Sequence, residues 1–254
     1  MFRAVRIVIL LFVLLGVALG AWRAKTRSVE WKSTLPVTIY PINGDGSAAA
    51  ANYLRSLNVA DFKPIETFMR DEAARHGRSS AASIEIRLGG KIDALPPVPP
   101  RNGSAFEVVA WSLKMRWFAY RNAHPEGPGT HVSMFVLYFD PAQNARLGHS
   151  TGLRQGLIGR VNAFAARDMA RQNNVIIAHE FLHTLGATDK YDVATNQPLF
   201  PDGYADPNLI PLLPQRFAEI MAGRTPLAKA EAETPPSLDD ALIGSKTAQE
   251  INWK

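Results

Sequence analysis

The sequence predicts a mixed α/β fold of the α+β type, in which a twisted mixed sheet packs with helices and a smaller irregular C-terminal lobe follows. Along roughly the first 186 residues, period-two or wholly apolar strand segments alternate with segments of helical periodicity. After residue 187, residues typical of turns become frequent. We therefore expect residues 28–254 to form the folded part, with an upper lobe at about 31–186 and a lower lobe at about 187–254.

Residues 1–27 are predicted to be a signal anchor or a signal peptide. The stretch 7–22 contains no charged residue and has basic residues on both sides. With residues 4–6 included, it reaches about 19 residues, enough for a helix to cross the hydrocarbon core of a bilayer. Small residues around Ala18 and Gly20 also suit signal cleavage. The sequence thus predicts either a membrane anchor at residues 4–22 with the domain on the extracytoplasmic side, or a secreted or periplasmic protein.

The positive net charge does not indicate a nucleic-acid partner. The formal net charge of +5 comes from five basic residues within residues 1–27, where no acid occurs. The rest of the chain has 23 basic and 23 acidic residues, so that no basic surface is expected there. The chain also contains no cysteine, which excludes disulfides, a cysteine-ligated metal and a thiol nucleophile.

The elements of the first half follow from periodicity and turn residues. Strands are predicted at residues 37–41, 83–88 and 132–139, the last of them wholly apolar apart from one serine and therefore strongly buried. Helices are predicted at 47–57, at 61–76 with Asp61 as N-cap, and at 105–120, although a pair of strands would also fit the last segment.

The second half contains one further strand and two helices. A glycine-rich segment that suits irregular loop and a bulged strand precedes a strand at 157–164. A helix should begin at Asp168 and end at Gly186, since glycine suits the left-handed C-cap. Ser237 is predicted to cap a final helix that reaches Trp253.

The helix ending at Gly186 contains the pattern His-Glu-x-x-His. His179 and His183 lie one turn apart on one helical face, so both imidazoles can bind one zinc ion. Glu180 points about 100° away around the helix, where a general base for water would stand. Asp189 follows Gly186 by three residues and offers an oxygen ligand. The short pattern alone also occurs in helices that bind no metal, but the extension to Asp189 favours a metal site.

Other ligand assignments remain open on the sequence. Asp192 lies three residues beyond Asp189 and could replace it as third ligand. Glu219 could serve in the same way, although that assignment leaves Gly186 and Asp189 without a role. The remaining histidines are expected to be surface or structural residues, with the last of them as a secondary ligand candidate: His76, His124, His131 and His149.

The extended pattern His179-Glu-x-x-His183-x-x-Gly-x-x-Asp189 resembles that of the metzincin clan of zinc endopeptidases, in the variant whose third ligand is Asp. The resemblance implies a zincin-like sheet with an active-site helix, facing a lower lobe across a substrate cleft. Met221 resembles the methionine of the metzincin Met-turn, although an ordinary buried methionine is the alternative. Gly223 stands where several subfamilies have a tyrosine, and Tyr191 or Tyr204 could supply its stabilising hydroxyl.

These residues predict zinc-dependent hydrolysis of peptide bonds. His179, His183 and Asp189 would hold Zn²⁺ and Glu180 would act as general base toward a protein or peptide substrate. The resemblance also implies that the strand before the helix, at 157–164, is the sheet edge that pairs with the substrate. Two alternatives stay open: a catalytically silent zinc-binding or interaction domain, and a zinc amidase that acts on cell-wall peptides. The oligomeric state is not indicated.

Overall fold

The centre of the protein is a five-stranded mixed sheet. The computed structural model describes residues 28–78, 83–100, 103–124, 131–154 and 156–253. The sheet has the order β2-β1-β3-β5-β4, in which the first four strands are parallel and β4 runs antiparallel to β5. The strands are β1 (Leu35–Asn43), β2 (Ile84–Leu88), β3 (Val132–Phe139), β4 (Thr151–Leu153) and β5 (Ile158–Phe164). The predicted mixed α/β class is confirmed.

Five α-helices occur among the described residues: α1 (Ala48–Ser56), α2 (Lys63–Arg75), α3 (Ala105–Asn122), α4 (Ala170–Leu185) and α5 (Ser245–Glu250). Local chemistry explains their ends. Ser47 accepts a hydrogen bond from the Ala50 N–H and so caps α1. Ser104 and Glu107 form a reciprocal capping box at the start of α3, which supports the helical reading of this segment over a pair of strands.

Helices cover both faces of the sheet, which explains why β3 is almost entirely apolar. Alternate residues Met134 and Val136 face the core that α2 and α4 share, whereas Phe135 and Leu137 face α3. A parallel strand buried on both sides has no solvent face, so it shows no polar alternation. The predicted strand 132–139 has the observed bounds.

The chain after α4 forms short elements: β6 (Ala218–Glu219) pairs with β9 (Ala241–Leu242), and β7 (Thr225–Ala228) pairs with β8 (Glu231–Glu233). This segment also contributes to the main core. Ile220, Ile251 and Trp253 belong to the same buried cluster as the apolar faces of α2 and α4. The C-terminal residues therefore belong to the core on which α4 packs, which becomes important for the site described below.

Two predicted helix starts are wrong. A 3₁₀ helix (Val59–Phe62) precedes α2, and Asn58 caps it while Asp61 completes the capping box from the third position. In a capping box the N-cap side chain accepts from backbone N–H groups of the first turn, and the side chain three residues later accepts from the N-cap N–H. Asn58 has the first role here and Asp61 the second, so Asp61 is not the N-cap. Ser237 caps only a 3₁₀ turn (Leu238–Asp240), after which the chain enters β9 before α5 begins.

The predicted sheet edge at 157–164 is also wrong. That segment forms β5, which lies between β3 and β4 inside the sheet. The glycine-rich stretch before it supplies β4, whose pairing with β5 makes β4 the edge strand. Antiparallel neighbours need only a short connection, so three residues of that stretch are enough to form a new edge.

The predictions of a transmembrane helix and of a membrane-anchored location are corrected. Among the residues that the structure describes, no helix is both long enough and apolar enough to cross a membrane. The longest of these helices, α3, has 18 residues but carries charged side chains that a bilayer core would exclude: Glu107, Lys114, Arg116 and Arg121. The predicted anchor at residues 4–22, and the whole segment 1–27, lie outside the described residues.

Candidate metal centre

α4 places two imidazoles side by side, as the spacing of His179 and His183 predicts. Their Nε2 atoms are 3.1 Å apart. Each Nδ1 atom lies 2.8 Å from a backbone carbonyl oxygen, that of Ile220 for His179 and that of Ala187 for His183. A carbonyl oxygen can only accept, so each Nδ1 carries the proton and donates it. In the neutral rings, both Nε2 atoms then present lone pairs to the same point.

Asp189 approaches that point because the chain reverses at the end of α4. Gly186 adopts a left-handed conformation with φ of 110°, which residues with a side chain rarely adopt. Asp189 Oδ1 lies 3.3 Å from His179 Nε2 and 3.1 Å from His183 Nε2. These three residues are a group whose ligand atoms all lie within 4.8 Å of one another, and we call them the triad. The triad is a possible metal-binding site.

The electrostatics of the triad favour a positive charge between its members. Burial lowers the pKa of His179, but hydrogen bonding to Asp189 and the charge of Glu180 outweigh it and raise the pKa to about 9. Burial also raises the pKa of Asp189, yet the hydrogen bonds from both histidines hold it well below its usual range. A site that stabilises an added proton so strongly is also suited to a cation.

Glu180 lies beside the triad with its carboxylate almost fully buried. Only 6% of the residue is exposed, and Oε2 has no hydrogen-bond partner among the described residues. Burial raises the pKa of Glu180, although the nearby imidazoles oppose this. The group therefore stands next to the triad with one oxygen available for a ligand and an enhanced ability to hold a proton.

The edge strand β4 contacts α4 closely because residue 152 is glycine. A Cβ atom added to Gly152 would lie 2.3 Å from the Glu180 carbonyl oxygen and 2.5 Å from His183 Cβ. Both distances are shorter than any real contact, so a side chain here would push β4 away from the helix. Gly152 thus sets the separation between the sheet edge and the triad.

Replacing Gly152 with Ala is expected to destabilise the protein by about 1–3 kcal/mol, since the added methyl group overpacks a backbone contact. Urea unfolding followed by circular dichroism measures this change. Gly90→Ala is the matched control, because a Cβ atom at Gly90 meets nothing within 4 Å. Equal stability of the two variants would show that β4 can move away from α4 without cost.

A buried turn lies under His179. Residues 220–223 form this turn, in which the Gly223 N–H donates to the Ile220 carbonyl and Met221 is fully buried. The Met221 carbonyl accepts a hydrogen bond of 2.9 Å from the Lys190 N–H, next to Asp189. The turn therefore contacts the triad directly through Ile220 at His179, and through Met221 it contacts Lys190, the residue next to Asp189.

Glu219 holds this turn in place. Its carboxylate, which is completely buried, accepts hydrogen bonds from the Met221 and Ala222 N–H groups and, in α5 and its N-cap, from the Gly244 N–H and the Thr247 hydroxyl. Glu219 is therefore occupied by the turn and by α5 rather than by the triad. Asp192, the other alternative ligand, is half-buried and accepts hydrogen bonds from its own loop through Oδ1.

A second carboxylate, which is partly buried, holds the loop that carries Asp189. Glu250 in α5 accepts hydrogen bonds from the Thr188 N–H and hydroxyl, at 2.9 and 2.8 Å. Lys190 is only 4% exposed, and its ammonium nitrogen lies 2.7 Å from the Glu250 carboxylate. Thus α5 fixes both sides of the triad, the turn through Glu219 and the loop through Glu250. Sequence reasoning considered Glu219 only as an alternative ligand and missed Glu250 altogether, since no local pattern marks either supporting role.

A cavity of about 250 Å³ lies beside the triad, bordered by His179 and Glu180. Further lining residues come from the segment before β4 and from the chain after α4: Gly148, His149, Ser150, Tyr191, Gly223 and Thr234. Of the two tyrosines considered from the sequence, Tyr191 lines this cavity, whereas Tyr204 pairs with Ala218 in an isolated bridge. His149, the secondary ligand candidate, borders the cavity outside the triad, and His76 bonds to the Ile243 carbonyl.

The chain was compared with protein-family models and with curated proteins, and neither comparison found a match. The function is therefore inferred from the residues of the site and their geometry.

Proposed function

We propose that the protein is a zinc-dependent peptidase whose site consists of the triad and Glu180. The observation that carries this proposal is the buried Glu180 carboxylate, with Oε2 unpaired among the described residues, beside three converging ligand atoms. A buried carboxylate without a partner is costly to keep. A purely structural metal site gains nothing from it, whereas a hydrolytic site needs a base there.

The donor set of the triad suits zinc. Zinc prefers imidazole nitrogen and carboxylate oxygen, and ligand atoms bound tetrahedrally at about 2.0–2.1 Å lie about 3.3–3.4 Å apart. The three separations in the triad are 3.1, 3.1 and 3.3 Å. A hydrolytic zinc site has three protein ligands, as here, and one position for substrate or water. When bound, zinc would supply the Lewis acidity that polarises a carbonyl group and acidifies water.

Glu180 would accept a proton from the attacking water and then pass it to the leaving amine. This role requires a carboxylate that holds a proton between two steps, and burial raises the pKa of Glu180 in that direction. Tyr191 borders the same cavity, so its hydroxyl is the available donor to the oxyanion that forms at the carbonyl. The carbonyls of Ile220 and Ala187 keep both imidazoles oriented throughout.

An extended peptide is the substrate class that the surroundings favour. β4 is the edge strand of the sheet and lies directly against the Glu180–His183 turn of α4. A sheet edge can pair with an extended chain through backbone hydrogen bonds. We therefore assign substrate pairing to β4, whereas the resemblance to metzincins assigned it to the segment 157–164, which forms β5. A metzincin-like arrangement, with the buried turn at Met221 as a Met-turn, is part of the proposal.

The test compares the wild-type chain with Glu180→Gln. We expect both to bind one equivalent of zinc, because Glu180 is not a ligand, and we expect Glu180→Gln to cleave an unstructured protein about 10²–10⁴-fold more slowly. Zinc content and the rate of fragment formation are measured together. The matched control is Glu85→Gln. The Glu85 carboxylate is half exposed and forms an ion pair with Arg87 away from the triad.

The outcomes separate the three functions. Equal cleavage by wild type and Glu180→Gln would contradict the proposed mechanism. Tight zinc binding without hydrolysis of any peptide would favour the silent domain. Hydrolysis of cell-wall peptides, with unstructured protein left intact, would favour the amidase. Absence of zinc from the wild-type chain after exposure to excess zinc would reject all three.

A further inference from the structure

α3 carries an apolar face that the rest of the described chain does not cover. Its opposite side packs on the sheet through Trp111, Met115 and Phe118. The outward face consists of five large apolar side chains: Phe106 (80% exposed), Val109 (57%), Leu113 (58%), Trp117 (61%) and Tyr120 (75%). At 100° per residue all five lie within about 40° of the direction of Leu113, so they form one continuous stripe. Contiguous exposed apolar surface of this kind marks an interaction site.

The stripe is symmetric about Leu113. Its members are separated by 3, 4, 4 and 3 residues, so each residue before Leu113 has a counterpart at the same distance after it. If two copies of α3 pack antiparallel around a two-fold axis at Leu113, then Leu113 meets Leu113 of the second copy. Val109 then meets Trp117, and Phe106 meets Tyr120. A two-fold interface requires such self-complementarity.

The charges at the two ends of the stripe match the same arrangement, whereas Lys114, about 100° from Leu113 on the same flank, would face Lys114 of the second copy. Glu107 and Arg121 project to the same flank, about 120° and 80° from Leu113. Antiparallel packing brings equal flanks of the two helices together. Glu107 lies six residues before Leu113 and Arg121 eight after it, so the two charges of opposite copies are offset by only about 3 Å along the axis. The interface therefore has two such pairs, one at each end, and each pair takes one charge from either copy.

The area of the stripe is sufficient for a dimer. With about 150–250 Å² for each aromatic side chain and less for Val and Leu, the five side chains expose about 600–700 Å² per copy. Pairing would bury at most about 1,200–1,400 Å² in total, at the lower end of the range of specific interfaces. Trp117 and Tyr120 already stack at 5.7 Å, and the Arg121 guanidinium lies 5.9 Å from the Trp117 ring. These contacts limit the side-chain entropy lost on pairing.

We propose that the protein forms a homodimer in which α3 packs antiparallel against α3 of a second copy, with the two-fold axis at Leu113. The interface is independent of the proposed zinc chemistry, because α3 and α4 pack on opposite faces of the sheet. The cavities beside the two triads remain accessible in the dimer.

Cysteine cross-linking of the full chain tests the register, since the chain has no native cysteine. Under mild oxidation Leu113→Cys is expected to form a disulfide dimer, because Cα atoms at the closest point of packed helices come within about 4–6 Å. Phe106→Cys alone is expected to remain monomeric on denaturing gels, since the two cysteines would lie about 20 Å apart. A mixture of Phe106→Cys and Tyr120→Cys is expected to form the mixed disulfide. Val193 is 79% exposed and lies outside α3, so Val193→Cys is the control for random collision.

Homotypic cross-linking of Phe106→Cys at the level of Leu113→Cys would overturn the antiparallel register. Equal cross-linking of Val193→Cys would show random collision and overturn the dimer. Sedimentation provides the second measurement: Trp117→Glu is expected to weaken dimerisation at least tenfold, whereas Val193→Glu leaves it unchanged. A wild-type chain that sediments as a monomer at all accessible concentrations, or one whose self-association resists Trp117→Glu, overturns the proposal.

Discussion

Replacing Asp189 with Ala is expected to weaken zinc binding at least about 100-fold. Even partners outside the ligand shell contribute 10–100-fold to the affinity of zinc sites, and Asp189 supplies one of only three ligand atoms in the triad. The substitution also removes the carboxylate that both imidazoles face at 3.1–3.3 Å, so the remaining pair has no negative charge to balance a divalent ion. Competition with a chromogenic chelator measures the dissociation constant.

Asp192→Ala is the matched control for this experiment. Asp192 lies three residues further along the same loop, and its Oδ1 accepts hydrogen bonds from Ala194 and Thr195. We expect zinc affinity close to that of wild type, with a small loss of loop order. If Asp192→Ala loses affinity and Asp189→Ala retains it, the third ligand has been assigned to the wrong carboxylate.

Replacing Glu219 with Gln is expected to destabilise the fold by about 2–4 kcal/mol. The carboxylate accepts from four donors, and an amide can accept with only one of its two terminal atoms, so buried donors lose their partners at about 1–3 kcal/mol each. We also expect zinc to bind about 10–100-fold more weakly in the folded protein, because the Ile220 carbonyl that orients His179 belongs to the turn that Glu219 holds. Urea unfolding and a zinc titration measure the two effects separately.

The matched variant is Glu231→Gln, which changes an exposed carboxylate in β8 and should leave both quantities unchanged. A second variant, Thr247→Val, removes one donor to Glu219 and keeps the shape of the side chain. It should produce a smaller loss of stability in the same direction. If stability falls in Glu219→Gln while zinc affinity stays constant, the turn does not position His179.

Local signals in the sequence were sufficient for most strands and helices. The apolar segment at 132–139 and the glycine at the end of α4 each determine a feature within a few neighbouring residues, and both agree with the structure. The errors occur where two local signals compete or where the partner is distant. Asn58 and Asp61 both suit a helix start, and only the packing of the 3₁₀ helix decides between them. The edge position of β4 depends on its pairing with β5, which periodicity does not reveal.

The site likewise contains residues that the sequence predicts and residues that it does not. The triad lies within eleven consecutive residues, so helical geometry and one glycine-ended turn bring its atoms together. The residues that support the triad are distant in sequence, because Glu219 bonds to Thr247 and Glu250 bonds to Thr188 and Lys190 across 28 to 62 residues. A buried carboxylate in such a role has no characteristic spacing, so it can be recognised only once the packing is known.

The support of the triad by α5 has a consequence for the order of events during synthesis. Chains are made at about 5–20 residues per second and begin to fold from the N-terminal side. The sheet and α4 leave the ribosome first, while Glu250 follows Lys190 by 60 residues. For several seconds the nascent chain therefore contains both histidines and Asp189 without the clamps that fix them. The proposed peptidase activity is thus expected to arise only after α5 has been made, so that the growing chain is not cut by its own site.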